Sequence, residues 1–177
     1  MSRITFATVW FGGCSGCHMS LLDLDAWLFD LASKVELVYG PLADQKTFPD
    51  GVDLTLVEGA IANEEHLALA REIRRKTRVL VALGDCAVTG NVTALRNLAG
   101  DPSGLLQQIY AERGDPTLAV PRAPGIVPRL IERVTPLHAA VPVDHFLPGC
   151  PPSAPRIRAM LEALLAGAEP SEIGRFG

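Results

Sequence analysis

The sequence predicts a doubly wound α/β fold. It has one parallel sheet of about five strands, in the order 2-1-3-4-5, with helices on both faces. Three observations predict this. Five short apolar runs rich in β-formers recur along the chain, and helical segments separate most of them. The runs are near-continuous rather than alternating, VLVALG being the clearest, as strands covered on both faces require. The order β-α-β-β-α-β-α-β-α is the pattern of a layered α/β sheet.

The first strand is Ile4–Trp10. Residues 17–32, CHMSLLDLDAWLFDLA, follow as one helix. Its Leu21, Leu22, Leu24, Ala26, Trp27, Leu28, Phe29 and Leu31 cover most of the circumference, with Asp23 and Asp30 on one narrow stripe. A helix apolar on that many sides should be buried against more than its own sheet; a subunit interface is the natural explanation, and burial under the Pro-rich stretch after residue 102 is the alternative. The second strand is Val35–Tyr39. Residues 40–52 carry two Pro and no helical period, and read as a loop. The third strand is Leu54–Val57. A helix over 63–76 has Asn63 as N-cap, acids in its first turn and a solvated basic run, Arg71 to Arg78, at its end. The fourth strand is Arg78–Leu83, and shorter helices fit 91–99 and 104–112. Eleven of the fourteen Pro lie between Pro102 and Pro155. That stretch should be an irregular excursion between strands four and five, with little regular structure of its own. The fifth strand is Val141–Phe146. The last helix is 153–166, with Ser153 as cap and Pro155 near its first turn.

The 177 residues suit a single domain over 1–177. With 48% apolar and 20% charged residues the chain can fill a core, which excludes disorder. No apolar run reaches the roughly 18–20 residues that span a bilayer. A net charge of −4 argues against a nucleic-acid partner. No export signal is visible at the start, so the expected compartment is the cytoplasm.

Cysteine is the informative count. There are four, and a reducing compartment makes structural disulfides improbable. Four thiols suit one tetrathiolate metal centre and cannot supply two. Cys14 and Cys17 follow the first strand in FGGCSGCHMS, Cys86 follows the fourth in LGDCAVTGN, and Cys150 follows the fifth in FLPGCPPS. In a parallel sheet these turns emerge at one edge, beyond the carboxyl ends of the strands, where open α/β sheets place ligands. Strands one and five lie three spacings apart, roughly 14 Å, so the loops must lean inward. Gly12, Gly13, Gly16, Gly84, Gly90 and Gly149 flank the cysteines and let backbone approach closely. Cys17 should sit at a helix N-terminus, where the dipole favours thiolate. Three chemistries fit this pattern: an iron–sulfur cluster on all four sulfurs, a tetrahedral zinc site, or a thioredoxin-like redox pair of Cys14 and Cys17.

Four other residues stand near this edge as candidate supports. Glu58 ends the third strand in LVEGA and is placed to line a proton or electron route. His18 abuts Cys17 and is positioned to donate to sulfur. Gly16 lies between the paired cysteines, and Thr89, three residues past Cys86, offers a hydroxyl. His66, His138 and His145 form no ligand spacing. No catalytic acid, base or nucleophile is assigned.

WFGGCSGCHMSLLDLD, LGDCAVTGNV and LPGCPPS resemble the small subunit of [NiFe] hydrogenases, and more distantly the corresponding subunit of respiratory complex I. The closest likeness is to the short small subunit of the cytoplasmic, bidirectional NAD-reducing type, and it runs over nearly the whole chain. Complex I subunits carry adjacent cysteines where this chain has CSGC, which favours the hydrogenase side. The resemblance implies a flavodoxin-like domain with one [4Fe–4S] cluster, the proximal cluster, on Cys14, Cys17, Cys86 and Cys150. It implies a separate [NiFe] large subunit, and an iron–sulfur and flavin diaphorase module that reacts with NAD. The expected role is electron transfer within a hydrogen:NAD+ oxidoreductase. No cysteine follows Cys150, so only the one cluster is expected. FMN is the other cofactor associated with such subunits. It is disfavoured because cysteines occupy the turn where a Ser/Thr phosphate loop would lie.

Overall fold

The structure is a computed structural model, and it describes residues 3–114, 117 and 119–170. The ends of the expected 1–177 domain therefore lie outside the described residues. The chain runs β1 (Ile4–Trp10), α1 (Gly16–Leu22), α2 (Trp27–Lys34), β2 (Val35–Tyr39), β3 (Val52–Glu58), β4 (Ile61–Asn63) and α3 (Glu64–Lys76). It continues through β5 (Thr77–Leu83), α4 (Gly84–Thr89), a 3₁₀ helix Asn91–Ala99, α5 (Pro102–Gln107), β6 (Leu130–Thr135), β7 (His145–Leu147) and α6 (Ala154–Leu165). The main sheet has the order β2-β1-β3-β5-β7. Every pair in it is parallel. Counted by its own five strands this is the expected 2-1-3-4-5 order.

The unbroken apolar strands are explained by two cores, one on each side. Phe6, Leu54, Leu56, Val81 and Leu83 pack under α1, α2 and α6 with Leu21, Trp27, Ile157 and Met160. Their strand neighbours Ala7, Val9, Val57, Leu80 and Ala82 face the opposite way, against Ile73 and Ala70 of α3, Phe48 and Leu137. With a side-chain period of two, a strand covered on both faces has no polar register left to show. α3 starts as its sequence requires, with Asn63 Oδ1 accepting the His66 N–H at 2.7 Å. Ser153 stands at the N-cap of α6, where its backbone carbonyl accepts from Arg156 and Ile157 and its side chain makes no capping bond.

Four local expectations differ from the structure. The helix expected over 17–32 is two helices. Leu24, Asp25, Trp27 and Leu28 bond three residues back, and Asp25 sits at φ 52. Asp tolerates that region better than most residues, and the break turns Leu24, Trp27 and Leu31 together into the core. The Pro-rich excursion holds more regular structure than the short helix expected over 104–112. That helix is α5, capped by Asp101 and opened by Pro102; the unexpected element is β6, which pairs antiparallel with β4 in a separate two-stranded sheet. β4 is three residues long, too short to show a period. The fifth strand is shorter than expected. Pro142 has no N–H to donate, and Val141 N–H closes a turn onto Leu137, so the first backbone bond to β5 is Asp144 N–H to the Leu80 carbonyl and the paired register starts at His145. The basic run is partly engaged: Arg74 bridges Asp144 at 2.6 Å and Lys76 pairs Glu72 at 2.8 Å.

Helices α1 and α2 leave part of the sheet open. An apolar cavity of about 600 Å³ lies between them and β1–β2, bordered by Trp10, Met19, Leu22 and Leu37. All four of those side chains are exposed, as is Phe29 on α2. The circumferential apolar pattern of this segment is thus only partly used by the chain's own core. Among the described residues, no helix is long and apolar enough to cross a membrane.

Candidate metal centre

β1, β5 and β7 deliver the cysteines to one edge of the sheet. The loop leaving β1 is tied first to the loop leaving β3. Phe11 N–H donates to the Glu58 carbonyl at 2.8 Å, and Gly12 and Ala60 exchange both backbone bonds at 3.0 and 2.8 Å. This close approach requires Gly59. It sits at φ 92, and a Cβ there would lie 2.7 Å from the Phe11 carbonyl carbon. The chain then passes Cys14, takes Ser15 through φ 65 and enters α1, whose first turn buries Cys17. The loops after β5 and β7 are tied to one another. Asp85 N–H donates to the Gly149 carbonyl at 2.9 Å, and Gly149 N–H donates to Asp85 Oδ1 at 2.7 Å. These links supply the inward lean that three strand spacings demand.

All four cysteines are free thiols, with Cys17 and Cys86 buried and Cys14 and Cys150 exposed. They share one electrostatic environment. Burial pushes the Cys17 thiol well above its usual range, and Glu58, Cys86, Cys14 and Cys150 push it further. Burial also raises Cys86, reinforced by Cys14 and Cys150 and opposed by hydrogen bonds from Thr93. Gly84 is the tightest point of the cradle. It adopts φ 79, and a Cβ there would stand 2.1 Å from Cys17 Sγ. Only a glycine lets the β5–α4 turn lie against that sulfur. Gly16 lies between the first and last cysteine loops, its missing Cβ 3.2 Å from Cys14 Sγ and 4.0 Å from Pro151. Among the described residues, no three His, Cys, Asp or Glu side chains are gathered as they would be around a single bound ion.

The donor set and the cradle fit an iron–sulfur cluster. Four free thiols come from three loops at one edge of the sheet, and Gly84 and Gly16 stand against the sulfurs of Cys17 and Cys14 where a side chain would collide. An amide donor also reaches a sulfur: Asn91 Nδ2 lies 3.3 Å from Cys150 Sγ.

The candidate supports are placed as follows. Glu58 is 1% exposed. One carboxylate oxygen, Oε2, takes both the His18 N–H at 2.9 Å and His18 Nδ1 at 2.5 Å. His18 thus turns its Nδ1 to Glu58 rather than to sulfur, and its Nε2 is buried with no hydrogen-bond partner among the described residues. Thr89 donates its hydroxyl to the Asp85 carbonyl within α4. Residues the sequence did not single out are Asp85, Asn91 and Thr93. The one signal for Asn91 was its place in a Gly–Asn pair, where positive φ is tolerated. Its φ is 35.

Comparison with known proteins places this arrangement. The chain is 35% identical over 183 residues to the NAD-reducing hydrogenase HoxS subunit delta of Cupriavidus necator, covering 98% of this chain and 86% of that protein. It is 42% identical to a subunit of the F420-non-reducing hydrogenase vhu of Methanocaldococcus jannaschii, where the match takes in 89% of this chain. The chain spans about half the length of that relative, 54%. A crystal structure of an NAD+-reducing [NiFe]-hydrogenase in the H2-reduced state superposes with a TM-score of 0.88 at 42% identity, over 96% of this chain and 94% of that one. A [NiFeSe]-hydrogenase from Dm. baculatum, 18% identical with a TM-score of 0.61, shares the fold. Residues 14–164 match the family described as NADH ubiquinone oxidoreductase, 20 Kd subunit. The chain belongs to that family, and within it stands with the small subunits of hydrogenases.

Proposed function

We propose that this chain is the electron-transfer subunit of a hydrogen:NAD+ oxidoreductase. In this reading it holds one proximal [4Fe–4S] cluster on Cys14, Cys17, Cys86 and Cys150. It stands between a Ni–Fe site on a large subunit and an iron–sulfur/flavin diaphorase module in the cytoplasm. The observation that carries the reading is the set of four free thiols that three loops bring to the carboxyl edge of the sheet, with Gly84 fitted against Cys17 and an amide donor on Cys150. A bound cluster supplies a one-electron site whose potential follows its burial and the hydrogen bonds to its sulfurs.

The chain's own part is to bind, orient and shield. Thiols must give up their protons to ligate metal, so loading would release protons. Glu58 holds the first turn of α1, and with it Cys17, through His18. The Asp85–Gly149 pair sets Cys86 and Cys150 in register. The open apolar face along α1 and α2 is suited to a neighbouring subunit.

The test is iron and acid-labile sulfide analysis with electron paramagnetic resonance on anaerobically purified protein. About four iron and four sulfide per chain, with a reducible signal, is the expected result. Zinc without a redox signal, or a colourless protein active through Cys14 and Cys17 alone, refutes the reading.

A further inference from the structure

The segment after α4 touches all three cysteine loops at once. Thr93 donates its hydroxyl to the Gly12 carbonyl at 2.8 Å, two residues before Cys14. At the start of the segment Gly90 N–H donates to the Cys86 carbonyl at 3.0 Å. Asn91 reaches Cys150 Sγ with Nδ2 at 3.3 Å. The backbone is shaped for this. Gly90 sits at φ 88 and Asn91 at φ 35, and Ala94 N–H closes the turn onto the Gly90 carbonyl at 3.0 Å.

We propose that Asn91 is a tuning residue for the redox centre, its side-chain amide donating an N–H···S bond to Cys150 that holds the potential up, while Thr93 anchors the segment that carries it. The inference rests on the four cysteines being cluster ligands. Reduction adds an electron to a thiolate-bound centre and increases the negative charge on its sulfurs. A donor aimed at one of them therefore stabilises the reduced state more than the oxidised state. Asn91 is not needed to hold the metal in this account. It touches a ligand sulfur from outside and acts through it.

The experiment is a redox titration of the intact complex, followed by electron paramagnetic resonance, on wild type, Asn91→Gly and Asn91→Asp. Gly accepts the positive φ and removes the donor. Asp keeps the shape and puts a carboxylate oxygen against the sulfur. The expected result for Asn91→Gly is a reduction equilibrium constant lower by about tenfold, which is 59 mV for a one-electron couple. Asn91→Asp should fall further, both variants with wild-type iron content. An unchanged potential in both variants overturns the proposal. So does loss of the cluster in both, which would make Asn91 a structural support. A wild-type protein without iron and sulfide overturns the functional reading itself, and is told apart by that analysis before any variant is made.

Discussion

Gly84→Ala puts the tightest contact of the cysteine site to the test. A methyl at this position would stand 2.1 Å from Cys17 Sγ and 3.4 Å from the Gly149 carbonyl oxygen. Ordinary carbon contacts lie at about 3.5–4.0 Å, so the sulfur or the turn must move by roughly 1.5 Å. Two costs follow. Alanine in the left-handed region costs about 1–2 kcal/mol, and overpacking a filled site costs about 1–3 kcal/mol. Their sum, about 2–5 kcal/mol, lowers the melting temperature of a chain this size by roughly 4–20 °C. Gly51→Ala separates the two. Gly51 sits at φ 71 with nothing within 4 Å of an added methyl, so it carries the backbone cost alone. Relief is available to Gly84→Ala if Cys17 rotates, but rotation takes its sulfur out of the shared space. The variant should therefore lose iron even where it stays folded. Calorimetry and iron analysis on both variants, purified without oxygen, are the assay. If Gly84→Ala melts with Gly51→Ala and binds iron like wild type, the cradle around Cys17 is wrong.

Glu58→Ala removes the acceptor for two groups of His18 in a buried site. It should cost about 2–3 kcal/mol in denaturant unfolding and reduce iron loading, while Glu58→Gln, which keeps one carbonyl oxygen for the His18 N–H, should lose much less. Equal stability of Glu58→Ala and wild type would refute the positioning role. Asp144 provides a pH dependence. Burial alone would raise its carboxyl, but the Arg74 guanidinium and the Leu80 N–H hold it below the ordinary carboxylate value. A lowered folded-state pKa contributes stability above the unfolded value, near 3.9, and loses it as pH falls through the folded one. Asp144→Asn should therefore melt below wild type at pH 7 and converge with it below about pH 4. A constant difference across that range would show that Asp144 contributes through packing rather than charge.

The main sheet was legible because its strands are buried on both faces, and continuous apolar runs such as VLVALG have few other uses in a chain of this composition. The helix of 63–76 was legible through Asn63, whose side chain does what its position implies. The break at Asp25 was not, since an apolar stripe continues across it and only packing against the sheet turns Leu24 and Trp27 inward. β4 and β6 were not legible either. Each is short, and their pairing joins segments about seventy residues apart, one of them bounded by Pro128 and Pro136. At the site, the four cysteines declared themselves by position after strands, whereas His18 suggested a bond to sulfur and instead faces Glu58.

By itself the sequence determined which residues could do chemistry and which edge of the sheet they occupy, because strand order and the right-handed crossovers of parallel sheets carry loop positions with them. Only the tertiary structure decided how those loops meet. The Gly12–Ala60 and Asp85–Gly149 links, the contact of Gly84 with Cys17, and the reach of Asn91 to Cys150 join residues distant in the chain. Such contacts depend on backbone approach and side-chain direction, which residue type and spacing do not encode.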